Sequence, residues 1–239
     1  MIKVGRNTFS VDAFIFARGG SKGIKRKNIQ LLEGKPLIQY SIESALANAY
    51  VDEIYVSTDD EEIAILAKSL NATVPFIRPK ELSDDHSPEL LSWQHALTFL
   101  KNENKMPDIF VSLPCTSPLR NNVDVSQSIE SLIKSEADLS ISVCKSERNP
   151  YFNMVEIDDS GNAKILKKNS KNIIRRQDAP EIFDVTTVAY SAWSKYLLET
   201  NSIMKGKVTT SLVPRERAID IDTNFDFDLA RYFLKKAKN

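Results

Sequence analysis

A short loop rich in glycine and basic residues constrains this chain more than any other feature. Residues 18–28 read R-G-G-S-K-G-I-K-R-K-N, follow the apolar run Ala13–Phe16, and hold three of the seven glycines and five basic residues. No carboxylate occurs between Ala13 and Leu32. Glycine lets backbone N–H groups approach an anion closely, and Lys and Arg neutralise its charge. The loop is therefore predicted to cradle a triphosphate, with a solvated basic turn as the alternative.

This loop differs from the two common phosphate-binding motifs. A Walker A loop requires G-x-x-x-x-G-K-[ST], and the chain contains no Gly-Lys-Ser or Gly-Lys-Thr. The dinucleotide fingerprint G-x-G-x-x-G is absent as well. The ATPase and dehydrogenase interpretations thereby lose their main support, and another kind of nucleotide site is expected.

Composition excludes several broad classes of function. The 239 residues suit one large α/β domain, and 32 basic residues balance 32 acidic ones, which gives no support to a nucleic-acid or acidic-membrane partner. The sequence lacks an apolar stretch of membrane length and a signal-peptide core, so a cytoplasmic protein without a membrane partner is expected. The isolated Cys115 and Cys144 suit a reducing compartment. Two histidines cannot build a three-His metal site.

Apolar strand-like runs alternate with helical patterns over the first two-thirds of the chain. The predicted strands are Val11–Ala17, Glu53–Ser57, Thr73–Ile77, Ile109–Leu113 and Leu139–Cys144. The predicted helices are Pro36–Ala49, Asp60–Leu70, Glu89–Lys101 and Asp124–Lys134. This alternation predicts an α/β fold with a mostly parallel sheet and helices on both faces.

The alternation stops near Lys145. Segments Asn153–Ile157 and Ala163–Lys168 flank the turn sequence D-D-S-G and predict a β-hairpin. The basic, polar stretch that follows indicates an arm projecting from the core rather than a second domain. The core then resumes with predicted strands Glu181–Tyr190 and Val208–Val213 and helices Trp193–Glu199 and Phe225–Lys236. A single domain over residues 1–239 with an inserted arm is expected.

Asp220-Ile221-Asp222 is the second most informative feature. In an extended segment alternate side chains share a face, so two carboxylates would point one way while Ile219 and Ile221 pack in the core. Two such oxygen ligands suit Mg²⁺, which takes one or two carboxylates together with phosphate oxygens and water. The alternative is a polar turn in which Asp222 or Thr223 caps the last helix.

Polar residues at three other strand ends are further candidates, because sites in open α/β sheets form at the carboxyl ends of the strands. Asp59 is a candidate to face the site, whereas Asp60 is expected to cap the following helix. Arg78 is a candidate to bind phosphate or substrate. The hydroxyls of Thr116 and Ser117 either meet a base or sugar or only close a turn.

Six sequence motifs occur in order along the chain: F-A-R-G-G-S-K-G-I-K-R-K-N-I, V-S-T-D-D-E-E-I-A, R-P-K-E-L, T-S-P-L-R, R-R-Q-D-A-P and A-I-D-I-D-T-N-F-D-F. Together they resemble the acylneuraminate cytidylyltransferases, which are the CMP-sialic acid synthetases and relatives acting on other 2-keto-3-deoxy sugar acids. The resemblance implies a Rossmann-like fold similar to the nucleotide-binding half of GT-A glycosyltransferases, and a homodimer. It also implies a reaction of CTP with an ulosonic acid that gives the CMP-sugar and pyrophosphate.

The resemblance assigns roles to individual residues. The loop matches the family's nucleotide and phosphate loop, including Arg18, Gly19, Ser21, Lys22, Lys27 and Asn28. Lys27 is expected near the α-phosphate, and Arg78 matches a nucleotide-contacting arginine. Asp220 and Asp222 match the family's metal-binding aspartates and are the expected catalytic pair with Lys27. Residues 145–182 match the dimerisation arm, in which Arg176 is associated with the sugar acid.

Departures from the family pattern concern the sugar. Pro114 stands where glutamine is common, and Phe152 stands where some members have a lysine that serves sialic acid. Asp184 lies in a segment that replaces one of the Arg-Pro-Asn-Gly type. Two plausible partners of the substrate carboxylate are thus missing, and N-acetylneuraminate is not expected to be the substrate. Thr116 and Asp184 are retained as predicted sugar contacts.

Two other functions stay open from the sequence. A sugar-1-phosphate nucleotidyltransferase is also built on a glycine-rich basic loop, but its attacking group is a phosphate. A nucleotide-sensing protein would keep the loop without turnover. The presence of both Asp220 and Asp222 argues against the second alternative.

Overall fold

A computed structural model describes residues 1–21, 23–84, 86–167 and 175–238. Lys22 of the glycine loop and Lys168 at the end of the predicted hairpin lie outside the described residues. The strands are β1 (Ile2–Val4), β2 (Asn7–Phe9), β3 (Val11–Phe16), β4 (Leu31–Leu32), β5 (Lys35–Pro36), β6 (Glu53–Ser57), β7 (Ile109–Ser112), β8 (Leu139–Lys145), β9 (Val155–Ile157), β10 (Ala163–Ile165), β11 (Phe183–Trp193) and β12 (Val208–Leu212). The helices are α1 (Leu37–Leu46), α2 (Glu61–Ser69), α3 (Glu89–Asn102), α4 (Asn122–Lys134), α5 (Ser194–Glu199) and α6 (Asn224–Lys238). None of the helices in these ranges combines the length and the apolar character needed to cross a membrane.

A six-stranded sheet in the order β12-β8-β11-β7-β3-β6 forms the centre of the fold. β3 pairs in parallel with β6 and β7, and β12 pairs in parallel with β8. β11 alone in this sheet runs antiparallel to both of its neighbours, β7 and β8. The predicted α/β fold with a mostly parallel sheet is confirmed.

Both faces of the sheet are buried, as is usual for parallel strands. Ala13 and Ile15 of β3 belong to an apolar cluster that includes residues of α1, α2 and α4. Phe14, which points the opposite way, belongs to a second cluster with residues of α3 and α5. This double burial explains why β3 has a continuous apolar sequence, and it fixes where the glycine loop emerges from the sheet.

Most predicted elements are confirmed to within a few residues, and β6 matches its prediction at both ends. The predicted strand Thr73–Ile77 is wrong, because this segment forms only isolated bridges to the β6 region. Pro75 in its centre has no N–H group to donate to a ladder. The short hairpin of β1 and β2 was not predicted.

The hairpin predicted within the arm is present as β9 and β10. Val155 lies opposite Ile165, and Ile157 lies opposite Ala163, so these four side chains share one face of the hairpin. All four are exposed. We call these residues the arm face. Asp158 stabilises the turn by accepting the N–H groups of Ser160 and Asn162.

The buried Asp12 on β3 allows the cost of a charge in the core to be measured. Its side chain is 5% exposed, and this burial, reinforced by the charge of Asp52, raises the pKa of Asp12 to about 7. The native protein therefore holds this proton more tightly than the unfolded chain, and stability is lost as pH rises from about 4 through about 7. We expect Asp12→Asn to increase the free energy of unfolding by about 2 kcal/mol more at pH 8 than at pH 5. Urea titrations at the two pH values measure this difference.

Asp159, an exposed residue of the hairpin turn, supplies the matched control. Asp159→Asn should change the unfolding free energy by a similar small amount at both pH values. If Asp12→Asn increases the free energy of unfolding equally at the two pH values, the cost assigned to the buried charge is contradicted.

Candidate active site

Three parallel strands end at one edge of the sheet, and a cavity of about 480 Å³ opens there. β3 leads into the glycine loop, β6 into residues 58–60, and β7 into residues 113–117. The cavity is lined by Phe16, Arg18, Ser21, Gly23, Lys27, Asn28, Arg78, Leu82, Asp84, Ser87, Glu89, Ser92, Thr116 and Asp222. Most of the predicted site residues are therefore brought together in one place.

The glycine loop, residues 18–28, is held against the end of β6. The Gly19 N–H donates to Asp59 Oδ1 at 3.0 Å, and Asn28 Nδ2 donates to the Arg18 carbonyl oxygen at 3.0 Å. A Cβ atom on Gly19 would lie 2.6 Å from Asp60 Oδ2. Gly19 is thus required for close packing, and its N–H group is already satisfied by a carboxylate.

Asp59 also connects the loop to Arg78. The same Oδ1 atom lies 3.9 Å from Arg78 Nη2. Arg78 is 5% exposed, its Nε donates to Ser83 Oγ at 3.0 Å, and burial lowers its pKa. Asp60 instead caps α2 by accepting the Ile63 N–H at 3.0 Å, as the sequence predicted.

Lys27 fastens the loop to the segment that contains the paired aspartates. Its Nζ donates to the Ile221 carbonyl oxygen at 2.6 Å and to Asp222 Oδ1 at 2.8 Å. The Lys27 side chain is 14% exposed, whereas that of Asp222 is 71% exposed. Gly23 packs on the same segment, because a Cβ atom there would lie 2.5 Å from the Asp222 carbonyl oxygen. One lysine and one glycine thus close the loop onto residues 220–222.

The 220–222 segment shows the expected burial of its central residue. Ile221 is fully buried, and its N–H donates to the Thr116 carbonyl oxygen at 2.9 Å. Asp220 is half-buried and Asp222 is exposed. At the start of α6, the side chain of Asp226 accepts the Thr223 N–H, and the Thr223 hydroxyl accepts the Asp226 N–H. The cap is therefore built without the Asp222 side chain, which contacts Lys27.

Asp220 lies in a polar but confined environment. Burial is the main influence and raises its pKa; hydrogen bonding by Thr116 lowers it, and the charge of Asp222 raises it. Thr187 and Lys27 lower the pKa further. Asp220 Oδ1 is buried and has no hydrogen-bond partner among the described residues. A buried, unpartnered carboxylate oxygen near a second carboxylate can serve as a ligand for a hard cation.

Three residues of the site region carried no signal in the sequence. Thr187 lies where β11 shifts register, with its Oγ1 2.7 Å from Ser117 Oγ. Glu89 is the first residue of α3 and lines the cavity together with Asp84. An acidic residue in a first helical turn is ordinarily explained by the helix dipole, and a register shift cannot be recognised from strand pattern alone.

Arg176 and Asp184, two of the predicted sugar contacts, lie outside this cavity. Arg176 donates to the Glu147 carbonyl oxygen at 2.7 Å and lines a separate cavity of about 430 Å³ at the base of the arm. Asp184 lies in the exposed first part of β11, opposite Cys144. Lys22 lies outside the described residues. Within one chain the loop and the aspartates therefore meet without Arg176 and Asp184.

Gly20 and Gly23 form a matched pair that tests how the loop packs on Asp222. A Cβ atom on Gly20 meets nothing within 4 Å, whereas one on Gly23 overlaps the Asp222 backbone. We expect Gly23→Ala to lower the free energy of unfolding by about 1–3 kcal/mol. Gly20→Ala should lower it by less than about 0.5 kcal/mol. Denaturant titrations compare the two variants, and equal losses would argue against this packing.

Comparison with known proteins shows which family this chain belongs to. A family model described as cytidylyltransferase matches residues 13–222. The pseudaminic acid cytidylyltransferase of Campylobacter jejuni is 35% identical over 220 residues, covering 92% of this chain and 94% of that protein. The CMP-N,N'-diacetyllegionaminic acid synthase of Campylobacter jejuni is 34% identical over 223 residues, covering 92% of this chain and 93% of that protein.

A solved structure has the same fold. The structure of CMP:2-keto-3-deoxy-manno-octonic acid synthetase complexed with CTP aligns with a TM-score of 0.72 at 16% identity, over 95% of this chain and 99% of that chain. The expected nucleotidyltransferase fold and the resemblance to the acylneuraminate cytidylyltransferases are both confirmed. The chain therefore belongs to the cytidylyltransferase family, and it is a nucleotidyltransferase.

Proposed function

We propose that this protein activates a 2-keto-3-deoxy sugar acid with CTP and produces the CMP-sugar and pyrophosphate. The observation that carries the proposal is the closure of a basic glycine loop onto the Asp220 and Asp222 segment at one cavity. Phosphoryl transfer requires positioning and neutralisation of charge more than covalent chemistry, and this arrangement provides both. The names of the two Campylobacter relatives support a sugar acid as acceptor, and the CTP-complexed structural neighbour supports CTP as donor.

The proposed reaction is an in-line attack by the anomeric hydroxyl of the sugar acid on the α-phosphorus of CTP. The new O–P bond forms as the bond from the α-phosphorus to the oxygen of the departing pyrophosphate breaks. The hydroxyl proton passes to Asp220 or to solvent. Arg18 and Lys22 hold the β- and γ-phosphates and neutralise the charge that develops on the leaving group, while Lys27 lies near the α-phosphate. Ser21, Asn28 and Arg78 complete the proposed nucleotide site.

The two aspartates fit Mg²⁺ as the cofactor. Asp220 contributes a buried oxygen that lacks a partner among the described residues, and Asp222 contributes a carboxylate at the cavity wall. Two carboxylates leave room for the phosphate oxygens and water that Mg²⁺ also requires. When bound, Mg²⁺ supplies charge neutralisation at the α-phosphate.

The cavity disfavours a sugar 1-phosphate as acceptor. Asp84 and Glu89 line it together with Asp222, and an incoming phosphomonoester would add negative charge beside them. The presence of both Asp220 and Asp222 beside the loop favours turnover over nucleotide binding alone, because a metal at the α-phosphate assists the reaction itself. Both alternative functions therefore fit this site less well than nucleotidyl transfer to a sugar acid does.

The acceptor is proposed to differ from N-acetylneuraminate. The Pro114 carbonyl oxygen accepts hydrogen bonds from Ser41 and Arg120, so this residue serves the scaffold and offers no side-chain donor. Phe152 and Asp184 offer no cation to a substrate carboxylate. Removing such contacts is costly for a substrate that needs them.

We propose a cytoplasmic homodimer in which the arm reaches the site of the second subunit. The arm face exposes four apolar side chains on a two-stranded hairpin, which buries too little by itself to be stable without support. Arg176 lies apart from the cavity of its own chain but within the arm. A second copy that covers the arm face would place Arg176 at the partner's site.

Pyrophosphate release with CTP, Mg²⁺ and a panel of 2-keto-3-deoxy acids tests the proposed reaction. We expect turnover with pseudaminate-type, legionaminate-type or octulosonate acids, and a kcat/KM for N-acetylneuraminate lower by about tenfold or more. The reason is the loss of a polar contact at Pro114 and of cationic contacts at Phe152 and Asp184. Sugar 1-phosphates should release no pyrophosphate. Pyrophosphate release with sugar 1-phosphates but not with sugar acids would overturn the proposal. The absence of release with every sugar acid would overturn it as well.

Asp222→Asn tests the metal assignment. Turnover should fall about a hundredfold or more, because a charge at the reacting phosphate is lost. Binding of CTP should weaken less, since Arg18 and Lys27 remain, and calorimetry separates the two effects. Asp228→Asn, at a carboxylate of α6 that pairs with Arg231, is the control and should leave turnover unchanged. Near-normal turnover of Asp222→Asn at low Mg²⁺ would refute the assignment.

Mixed dimers test the composite site. Arg176→Ala and Asp222→Asn proteins should each be nearly inactive alone. After subunit exchange, about half of the dimers are mixed, and each mixed dimer has one intact site out of two. About a quarter of wild-type activity should therefore return. A fully active monomer in analytical ultracentrifugation, or no recovery although exchange is verified, would exclude the shared site.

A further inference from the structure

Arg217 forms a bidentate ion pair with a carboxylate that has no exposed surface. Its Nε donates to Asp124 Oδ2 at 2.9 Å, and its Nη2 donates to Asp124 Oδ1 at 2.8 Å. The side chain of Asp124 is 0% exposed, and that of Arg217 is 28% exposed. Two parallel hydrogen bonds between a guanidinium and a carboxylate fix the orientation of both groups as well as their distance. The pair therefore holds Arg217 in a defined place relative to the start of α4.

The helix cap explains Asp124 but does not explain Arg217. Asp124 and Asn121 form a capping box at the start of α4, in which each side chain accepts the backbone N–H group of the other residue. This cap is complete without a cation. A buried ion pair adds little net stability compared with apolar residues of similar volume, because both charges must leave water. Stability alone thus does not account for Arg217, whereas a geometric role does.

The ion pair lies three residues before Asp220 in the sequence. One residue after Asp220, the N–H group of Ile221 donates to the Thr116 carbonyl oxygen at 2.9 Å. Thr116 and Asp124 belong to one continuous stretch of chain, which runs from the end of β7 to the first turn of α4. Asp220 is therefore enclosed between two attachments to the same stretch, and its backbone keeps little freedom to move.

This enclosure matters for a metal ligand. Mg²⁺ demands near-ideal octahedral geometry, so the oxygens of its carboxylate ligands must be placed accurately. Asp220 Oδ1 has no hydrogen-bond partner among the described residues, so contacts of that oxygen do not place it. Its position depends on the backbone, which is anchored by the Arg217 pair, the Ile221 N–H group and Lys27. Arg217 supplies the anchor that precedes Asp220.

We propose that Arg217 is a positioning residue for the metal site, because through Asp124 it fixes the segment that presents Asp220 and Asp222 to Mg²⁺. The inference rests on the proposed function, in which these two aspartates hold the metal. Arg217 does not line the cavity, and it acts through the backbone that leads to Asp220. Loss of the bidentate contact should therefore weaken metal binding even where the fold remains stable.

Mn²⁺ titrations of the protein with CTP, in the absence of a sugar acid, measure metal binding apart from turnover. Electron paramagnetic resonance reports free Mn²⁺, and titrations of CTP alone supply the correction. Arg217→Lys keeps the charge but removes the bidentate contact, and it should raise the Kd for Mn²⁺ about tenfold or more. The Mg²⁺ concentration that gives half-maximal pyrophosphate release should rise by a similar factor. Arg231→Gln, which breaks an exposed pair with Asp228, is the control and should change neither value.

A double variant separates positioning from stability. Arg217→Gln leaves the Asp124 charge buried without its cation, so the temperature of thermal unfolding should fall. Adding Asp124→Asn removes that charge while the amide oxygen keeps the helix cap, so the unfolding temperature should recover. Metal binding should stay weak in the double variant, because the bidentate contact is still absent. Recovery of metal affinity together with stability would show a structural role only, and it would overturn the inference.

The same titrations distinguish a failure of the inference from a failure of the proposed function. If Arg217→Lys binds Mn²⁺ as tightly as wild type does, the inference is overturned while the proposed function stands. If wild type with CTP binds no more Mn²⁺ than CTP alone and needs no divalent cation for turnover, the metal assignment fails. The inference then fails with it.

Discussion

The contact of Lys27 with the 220–222 segment is the interaction on which the site depends. It joins two groups 195 residues apart in sequence and closes the loop after β3 onto the segment before α6. Without a counter-charge, the cations of the glycine loop would repel one another. The exposed Asp222 carboxylate provides that counter-charge, while the Ile221 carbonyl oxygen holds Lys27 Nζ independently of it. Under the proposed function, Lys27 could therefore exchange a carboxylate for a phosphate without leaving its place, and the site would need little rearrangement to bind a nucleotide.

A second, buried cation supports the loop after β7, which carries Thr116 to the cavity. Arg120 is 7% exposed and donates to the Val188 carbonyl oxygen, to Ser41 Oγ and to the Pro114 carbonyl oxygen. These acceptors belong to β11, α1 and the loop after β7, so one side chain ties three elements together. All three acceptors are neutral, and burial lowers the Arg120 pKa to about 10. Arg120 is thus costly to bury, and its hydrogen bonds position the loop after β7, which presents Thr116 to Asp220.

The sequence predicts those parts of the fold whose signals are local. The apolar run of β3, the Asp60 cap and the glycine loop each combine residue type and position within a few residues, and all lie where expected. β11 was expected as a strand, but its antiparallel direction depends on where the arm returns to the sheet, which no local pattern encodes. Thr187 and Glu89 escaped prediction for the same reason. Thr187 and Glu89 are important because of the direction in which their side chains point. A register shift sets that direction for Thr187 and the start of a helix sets it for Glu89, and both depend on tertiary packing.

β11 connects the arm to the site along one continuous strand. Its first residues, Phe183 to Val185, are exposed and pair with the end of β8, whereas Tyr190 to Ala192 pair with both β7 and β8 in the sheet. The register shift between these parts contains Thr187, which lowers the pKa of Asp220 by hydrogen bonding and lies beside Ser117. The strand ladder is interrupted at this shift, but its backbone is held from the core, because the Val188 carbonyl oxygen accepts a hydrogen bond from Arg120 and Ala189 exchanges hydrogen bonds with Ser142. The position of Thr187, and with it the environment of Asp220, is therefore fixed by contacts within one chain. Under the proposed function, a second subunit on the arm face would add Arg176 to a cavity that each chain has already built.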